Sequence, residues 1–262
     1  MEFINLHYVN EKLQHVVDWC SNNKLTINTK KTEYVIFRGK NRLVQCQGII
    51  SIKGEQIYEV QSTQYIGVDL DNKLTWKEHT NKVNKTISSK AGILYKIKHI
   101  VPQPTLLLLY NCFILPHISY SLEVWGNTYA TYLKPIYLTQ KRIVRTLTNS
   151  NRFEHTQPLF HELEILDVFK QYTYQTVLFV YDNISGNFPS DIPCYFSSIQ
   201  HLYPTRSKDK GNLLIPKYTT NIGQCSMKYS GVTLWNQIPE SIRSLRSKSK
   251  VKRDLKRHLL FI

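Results

Sequence analysis

Acidic residues are scarce in this chain: 19 Asp and Glu stand against 34 Lys and Arg, for a net charge of +15 and a pI near 9.5. So basic a surface favours a polyanionic partner, nucleic acid or an anionic membrane surface, over a neutral one. Cysteine is sparse as well. The five cysteines lie at positions 20, 46, 112, 194 and 225 with no C-x-x-C among them, an odd, dispersed set that argues against a disulfide framework and fits reduced thiols inside a cell. Cys112 with His117 and Cys194 with His201 are short Cys/His spacings, but neither has a second pair at ligand spacing, so no zinc site is expected. No apolar run approaches the roughly 20 residues that span a bilayer; the most apolar stretch, residues 106–115, is interrupted by Asn111 and followed by Pro116. The opening MEFINLHYVNEK lacks a basic region followed by a long apolar one. These absences give the expectation of a soluble protein of cytoplasm or nucleus with no membrane partner.

Chemical signatures are absent too. The chain has no G-x-x-x-x-G-K-[ST], no G-x-G-x-x-G and no G-x-S-x-G, so a nucleotide cradle or a nucleophile elbow is not expected. Two-metal polymerases and nucleases hold their ions with closely placed carboxylates. The nearest candidate is Asp69-Leu70-Asp71, which reads more simply as a strand end entering a turn. Glu162 and Glu164 stand two apart in a helical stretch and do not share a face. No catalytic or metal-binding residue follows from these patterns.

What is present can build a core. The chain of 262 residues is 42% hydrophobic and 20% charged, which suits a folded protein. The spacing of Leu13, Val16, Val17 and Cys20 predicts a helix over residues 10–20. Ser21-Asn22-Asn23 signals a turn, and Tyr34-Val35-Ile36-Phe37, closed by Gly39, predicts a strand. Residues 43–60 predict a hairpin with Gly54 in its turn, and alternation from Tyr65 to Leu70 predicts one further strand. From Thr75 the period becomes helical. Trp76, Thr80, Val83, Ile87, Ala91, Leu94 and Ile97 mark one face, and Lys82, Lys85, Lys96 and Lys98 the other. Helices are predicted over 104–125 with a kink at Pro116, over 131–148, and over 159–184. After a loop-rich stretch with four prolines, shorter ones follow at 224–235, 239–245 and 249–260. The expected class is α+β and mainly helical. Residues 1–72 form a small antiparallel-strand piece, 73–187 a helical domain, and 188–262 a loop-rich basic segment.

Charge concentrates near the end. From Arg206 onward there are 13 Lys or Arg against 3 Asp or Glu. In the run RSLRSKSKVKRDLKRH, Val251 and Leu255 begin an apolar spacing of four that Leu259 continues, while Arg253, Lys256 and Arg257 fall elsewhere on the helix. A basic amphipathic helix fits a phosphate backbone, a membrane surface or a groove for helical peptides, and a solvated face is the plain alternative.

Residues 19–37, WCSNNKLTINTKKTEYVIF, fit W-C-x-x-N-K-L-x-[IL]-N-x-x-K-T-x-x-x-[IV]-F, a pattern that resembles the segment following the catalytic strand in one family, the reverse transcriptases of non-LTR, LINE-type, jockey-like retrotransposons. Tyr65-Ile66-Gly67-Val68-x-Leu70-Asp71-x-x-Leu74-x-Trp76-x-x-His79 looks like the block covering its last palm strands and first thumb helix. Leu109-Tyr110, Leu115-Pro116-x-x-x-Tyr120, Trp125-Gly126 and Gln140-Lys141-Arg142-x-x-Arg145 are similar to later blocks. Tyr229-Ser230-Gly231-x-x-Leu234-Trp235-Asn236 with Pro239 and Ile242, then Lys252-x-x-Leu255-Lys256, resembles the family's C-terminal end.

The resemblance implies an end-of-palm remnant, a thumb-like helical bundle and a following basic segment. It implies that the family's [FY]-A-D-D strand, which would precede residue 19, is not in this chain, so that the chain alone is inactive and Mg²⁺ is a cofactor only of the full-length polymerase. Lys31 matches the family's motif D lysine. The implied partners are RNA or an RNA–DNA hybrid, and a palm–fingers part supplied separately. The residues expected on phosphates are Lys82, Lys85 and Lys90, then Lys141, Arg142 and Arg145, then Arg253, Lys256 and Arg257. The alternative reading is a domesticated nucleic-acid-binding or adaptor protein without enzymatic activity.

Overall fold

The computed structural model describes residues 2–39, 44–189, 191, 195–197 and 211–262, with side chains from residue 6 to 39 and from 48 onward. The chain divides into two units, Met1–His79 and Thr80–Ile262. The class is the expected one, α+β and mainly helical, and among the described residues the strands lie in the first unit.

In the first unit, strand β1 (Glu2–Asn5) runs directly into helix α1 (Leu6–Asn22), and β1 pairs in parallel with β2 (Val44–Gln47). Two antiparallel hairpins follow: β3 (Ile50–Ile52) with β4 (Glu55–Ile57), and β5 (Ser62–Tyr65) with β6 (Val68–Asp71). The β1–β2 pair is thus the exception to an otherwise antiparallel arrangement. Both hairpin turns place two residues at positive φ, Lys53 at 51° with Gly54 at 82°, and Ile66 at 46° with Gly67 at 76°, the type I′ geometry that matches strand twist. The first turn agrees with expectation. The second divides what the alternation read as one strand, because the continuity of Tyr65 to Leu70 is broken at Ile66-Gly67.

A small core joins α1 to the first hairpin. Leu6 and Val17 bury against Ile50, Ile52 and Ile57, with Leu13, Ile27 and Tyr34 packed at the edge. Asn10 bridges the two elements. Its amide Nδ2 donates to the Ile49 carbonyl at 2.7 Å, and its Oδ1 accepts from Ser51 N at 3.1 Å, satisfying backbone groups along β3. The predicted helix therefore starts earlier than its apolar spacing suggested. It ends as the polar turn required: Lys24 takes φ 58°, with Leu25 N on Cys20 O and Lys24 N on Ser21 O, a Schellman closure.

The expected strand at Tyr34–Phe37 is extended but forms no ladder. Tyr34 makes one parallel bridge to Glu59, and Arg38 N reaches Asn72 O at 3.0 Å. The segment is tied to the ends of both hairpins at single points, and an Arg38–Glu59 ion pair of 2.6 Å adds a side-chain link.

The second unit is helical. Helix α2 (Lys77–Ile97) begins before the division and supplies most of its length to this unit. The predicted 104–125 helix is three: α3 (Gln103–Phe113), α4 (Leu115–Ser119) and α5 (Leu122–Trp125). Pro116 has no N–H for the preceding turn and its ring crowds the carbonyl four residues back, so it starts a new helix rather than kinking an old one. Ser121 at φ 50° makes the second break. Helices α6 (Ala130–Leu147), α7 (Thr156–Glu162) and α8 (Val168–Ile184) follow. Asp167 caps α8, accepting from Phe169 N at 2.9 Å and Lys170 N at 3.0 Å, which with Glu164 at φ 50° divides the predicted 159–184 helix. The last part holds α9 (Asn221–Gln224), α10 (Met227–Gln237), α11 (Glu240–Arg243) and α12 (Lys248–Phe261).

Helix α8 is the hub. It packs on α4, α5, α6, α10 and α12, and Val177, Val180 and Tyr181 join Val232, Trp235, Ile238, Ile242, Val251, Leu255 and Leu259 in one core cluster. The C-terminal helices therefore share the core of the α8 region. The proline-rich loop expected after residue 187 falls largely outside the described residues, as do Cys194 and His201.

Candidate nucleic-acid interface

Helix α2 sorts its residues by face. Thr80, Val83, Ile87 and Leu94 are buried, while Lys82, Lys85, Ser89, Gly92 and Lys96 are exposed. Steps of three and four place these exposed residues in one stripe. Lys90 lies off that stripe. Its ammonium contacts His117 Nε2 and sits 6.0 Å from the centre of the Phe113 ring, so it faces α3 and α4. Burial, and after it the Lys90 charge, lowers the His117 pKa from 6.5.

Helix α6 lies alongside α2. The Thr139 hydroxyl donates to Asn84 Oδ1 at 2.8 Å and lies 3.3 Å from Ser88 Oγ, and Lys98 Nζ donates to Asn149 Oδ1 at 3.1 Å. Numbers rise together along both helices, so the two run in the same direction. Arg142 donates to Thr139 Oγ1 at 2.9 Å, which puts its guanidinium on the seam beside Asn84. Lys141 lies 5.3 Å from the Tyr137 ring centre. Arg145 is committed elsewhere, donating through Nε and Nη2 to the Glu154 carbonyl at 3.0 and 2.8 Å; it ties down the loop after α6.

A third basic group lies on α12. Val251, Leu255 and Leu259 turn into the core. Arg253, Lys256 and Arg257 line a cleft of about 570 Å³ with His161, Glu164, Leu260 and Phe261. Lys256 Nζ stands 3.6 Å from Glu164 Oε2, and Arg253 Nε donates to Asp254 Oδ1 at 3.1 Å. The spacing of these cations was legible in the sequence. His161 and Phe261 were not, because α7 and α12 are about a hundred residues apart in the chain and only packing brings them together.

In the first unit, Lys30 and Lys31 are exposed in the short 3₁₀ turn Thr29–Lys31. Asn28 organises it: its carbonyl accepts Lys31 N at 3.1 Å and the Thr32 hydroxyl at 2.9 Å. The Asp69/Asp71 pair does not fit a divalent-metal site. Asp71 Oδ1 accepts Trp76 N at 2.8 Å, and Oδ2 accepts Thr75 N and Thr75 Oγ1, both at 3.0 Å, which fixes the entry to α2. Asp69 Oδ2 lies 3.4 Å from Nδ1 of the buried His79. Both carboxylates hold structure.

Other motif residues do the same. Gln140 is fully buried and joins three elements: Oε1 accepts Val168 N at 2.8 Å, and Nε2 donates to the Tyr110 hydroxyl at 3.2 Å and to Leu166 O at 3.4 Å. Trp125, also fully buried, donates from Nε1 to Tyr120 O at 2.8 Å. At Gly126 a Cβ would stand 2.4 Å from Tyr172 Cδ2 and 2.6 Å from Leu122 O.

Several of the motif residues thus hold the fold together, and the curated proteins that this chain resembles are non-LTR retrotransposon RNA-directed DNA polymerases. The RNA-directed DNA polymerase from mobile element jockey of Drosophila melanogaster is 26% identical over 160 residues, covering 59% of this chain and 17% of that protein. Its Drosophila funebris counterpart is 23% identical over 158 residues with the same coverage. The probable RNA-directed DNA polymerase from transposon X-element of Drosophila melanogaster is 23% identical over 157 residues, again 59% and 17%. The matched part of the chain spans about a sixth of the length of these relatives. No protein-family model and no solved structure matches the chain. Among the described residues, no helix is long and apolar enough to cross a membrane.

Proposed function

We propose that this chain is the part of a retrotransposon reverse transcriptase that holds the template–primer duplex by its backbone, with the catalytic aspartates and their Mg²⁺ belonging to a palm–fingers part outside it. The observation that carries this reading is the exposed stripe of Lys82, Lys85 and Lys96 on α2, with Arg142 on the adjoining α6 seam. Lysines on a rigid helix neutralise phosphates without reading bases, so binding is independent of sequence and weakens with salt. Lys141 lies on α6 beside the Tyr137 ring, and Lys90 lies off the stripe against His117. Lys31 sits on a turn of the first unit, whose Asp69 and Asp71 are already engaged with His79 and the α2 entry, so any metal chemistry it serves comes from the palm–fingers part.

The test is a salt-titrated binding assay with an RNA–DNA hybrid, run beside primer extension with Mg²⁺. Binding with no extension is expected. The double change Lys82→Ala/Lys85→Ala is expected to lower the slope of log K against log salt by about 2, given roughly 0.9 per phosphate contact. An unchanged slope removes the assignment of this stripe, and extension by the chain alone removes the claim that its catalytic aspartates lie elsewhere.

A further inference from the structure

The α12 cleft differs in kind from the α2 stripe. The stripe is a convex row of cations on one helix. The cleft is concave, and it combines cations with aromatic rings. Arg253, Lys256 and Arg257 stand at i, i+3 and i+4, and Phe261 stands four residues beyond Arg257, so one face of α12 carries three positive charges and then a ring. The opposite wall comes from the end of α7 and the loop after it, through His161 and Glu164. His161 meets Phe261 edge-on, with centroids 4.5 Å apart at 71°, and Phe261 remains 71% exposed. An edge contact leaves ring face available for stacking.

We infer that this cleft seats a single-stranded nucleic-acid segment, with phosphates on Arg253, Lys256 and Arg257 and a base stacked on Phe261. The inference deepens the nucleic-acid reading above but rests on different residues. Three arguments support it. Cations lining a concave wall focus potential more than cations on a convex one. A volume of about 570 Å³ falls in the range of small-molecule clefts, roughly 300–1,000 Å³, and so suits a nucleotide or two rather than a duplex. A paired base has no free face for Phe261, whereas a base in a single strand does, and basic grooves with aromatic platforms bind single strands with little sequence preference. Glu164 acts as a competitor. Its contact with Lys256 is long, at 3.6 Å, and Glu164 is largely exposed, so the pair is weak and an incoming phosphate displaces it.

The experiment measures fluorescence anisotropy of the full chain with a short oligo(U), with the same backbone lacking bases, and with an RNA–DNA hybrid. The Phe261→Ala variant removes an exposed ring and leaves the core contacts of Val251, Leu255 and Leu259 in place. It is expected to weaken oligo(U) binding about 5- to 150-fold, the range for one stacked base, and to leave the abasic strand and the hybrid unchanged. Arg253→Ala/Arg257→Ala is expected to weaken both single strands and to lower the salt slope by about 1.4, at roughly 0.7 per phosphate for a single strand. Glu164→Gln is expected to tighten both. Oligo(U) binding that Phe261→Ala and Arg253→Ala/Arg257→Ala leave intact overturns the inference, as does capture of anionic lipid vesicles through these residues with no effect on oligonucleotides. The Lys82→Ala/Lys85→Ala variant on the hybrid reports on the α2 stripe separately, so either assignment can fail while the other stands.

Discussion

Gln140 has no solvent exposure, so each polar atom of its amide must be satisfied within the protein. It does this by joining α3, the loop before α8, and the first residue of α8. Its partner Tyr110 is fully buried as well, and that burial, offset in part by the Gln140 hydrogen bond and reinforced by the Asp167 charge, pushes the phenol pKa up to about 12. Burial thus favours the neutral phenol in the folded state. For a group raised above its ordinary 10.0, the associated stability is fully present below pH 10.0 and is lost as pH rises toward about 12. Tyr110→Phe is expected to cost about 0.5–1.5 kcal/mol at neutral pH, the usual worth of one hydrogen bond. The difference should shrink or change sign between pH 10 and 12, because the variant has no phenol to ionise. Urea midpoints of both proteins at the two ends of that range measure it; a gap that stays constant shows that Tyr110 does not titrate with unfolding.

Elements with a sustained helical period were legible in the sequence. Helices α1, α2, α6 and α12 lie close to their predicted spans because each carries an apolar face long enough to fix its period. The breaks were harder to read. Ile66-Gly67 is a poor signal for a type I′ turn, since a β-branched residue rarely adopts φ near 46°, and the alternation around it suggested one strand. Tyr34–Phe37 has strong β propensity, yet it touches its neighbours at single points; propensity describes a residue's fit to a pleated surface and does not supply a partner strand. In the 104–125 stretch the breaks come from Pro116 and from Ser121 at φ 50°, and only the first is visible in sequence.

The α5–α8 contact gives an element-level test. Gly126 ends α5 where α8 approaches, and its missing side chain makes room for Tyr172. Gly126→Ala would force apart two helices of the hub, at an expected cost of about 1–3 kcal/mol for an added methyl in a packed site. Helix content should persist while the thermal midpoint falls. A midpoint within error of the parent would mean that α5 and α8 are not packed as closely as this contact requires.

At the scale of the whole molecule, the basic residues could be read from the sequence, but their grouping could not. Charge runs reveal how many cations a stretch carries; packing decides which share a surface. Arg145 looked equivalent to Arg142, yet it is bound to the Glu154 carbonyl. Lys90 looked equivalent to Lys85, yet it turns to His117. Phe261 and His161 carried no signal, because their significance depends on α7 meeting α12.

The two units differ in what holds them. Among the described residues, the first, Met1–His79, has a buried cluster of five apolar residues on one helix and one hairpin, and its second hairpin is secured mainly by backbone and carboxylate bonds. The second has, among the described residues, an apolar core around α8 with thirteen buried residues in one cluster. A small unit buries a lower fraction of its surface than a large one, so its stability per residue is lower. Native-state hydrogen exchange is expected to rank them accordingly. Amides of β3 to β6 should exchange through openings of lower free energy than those of α6 and α8, and urea unfolding should show the first unit melting before the second. A single transition with equal protection in β3 and α8 would show that the first unit does not unfold on its own, and its thin core would then be an inadequate measure of its stability.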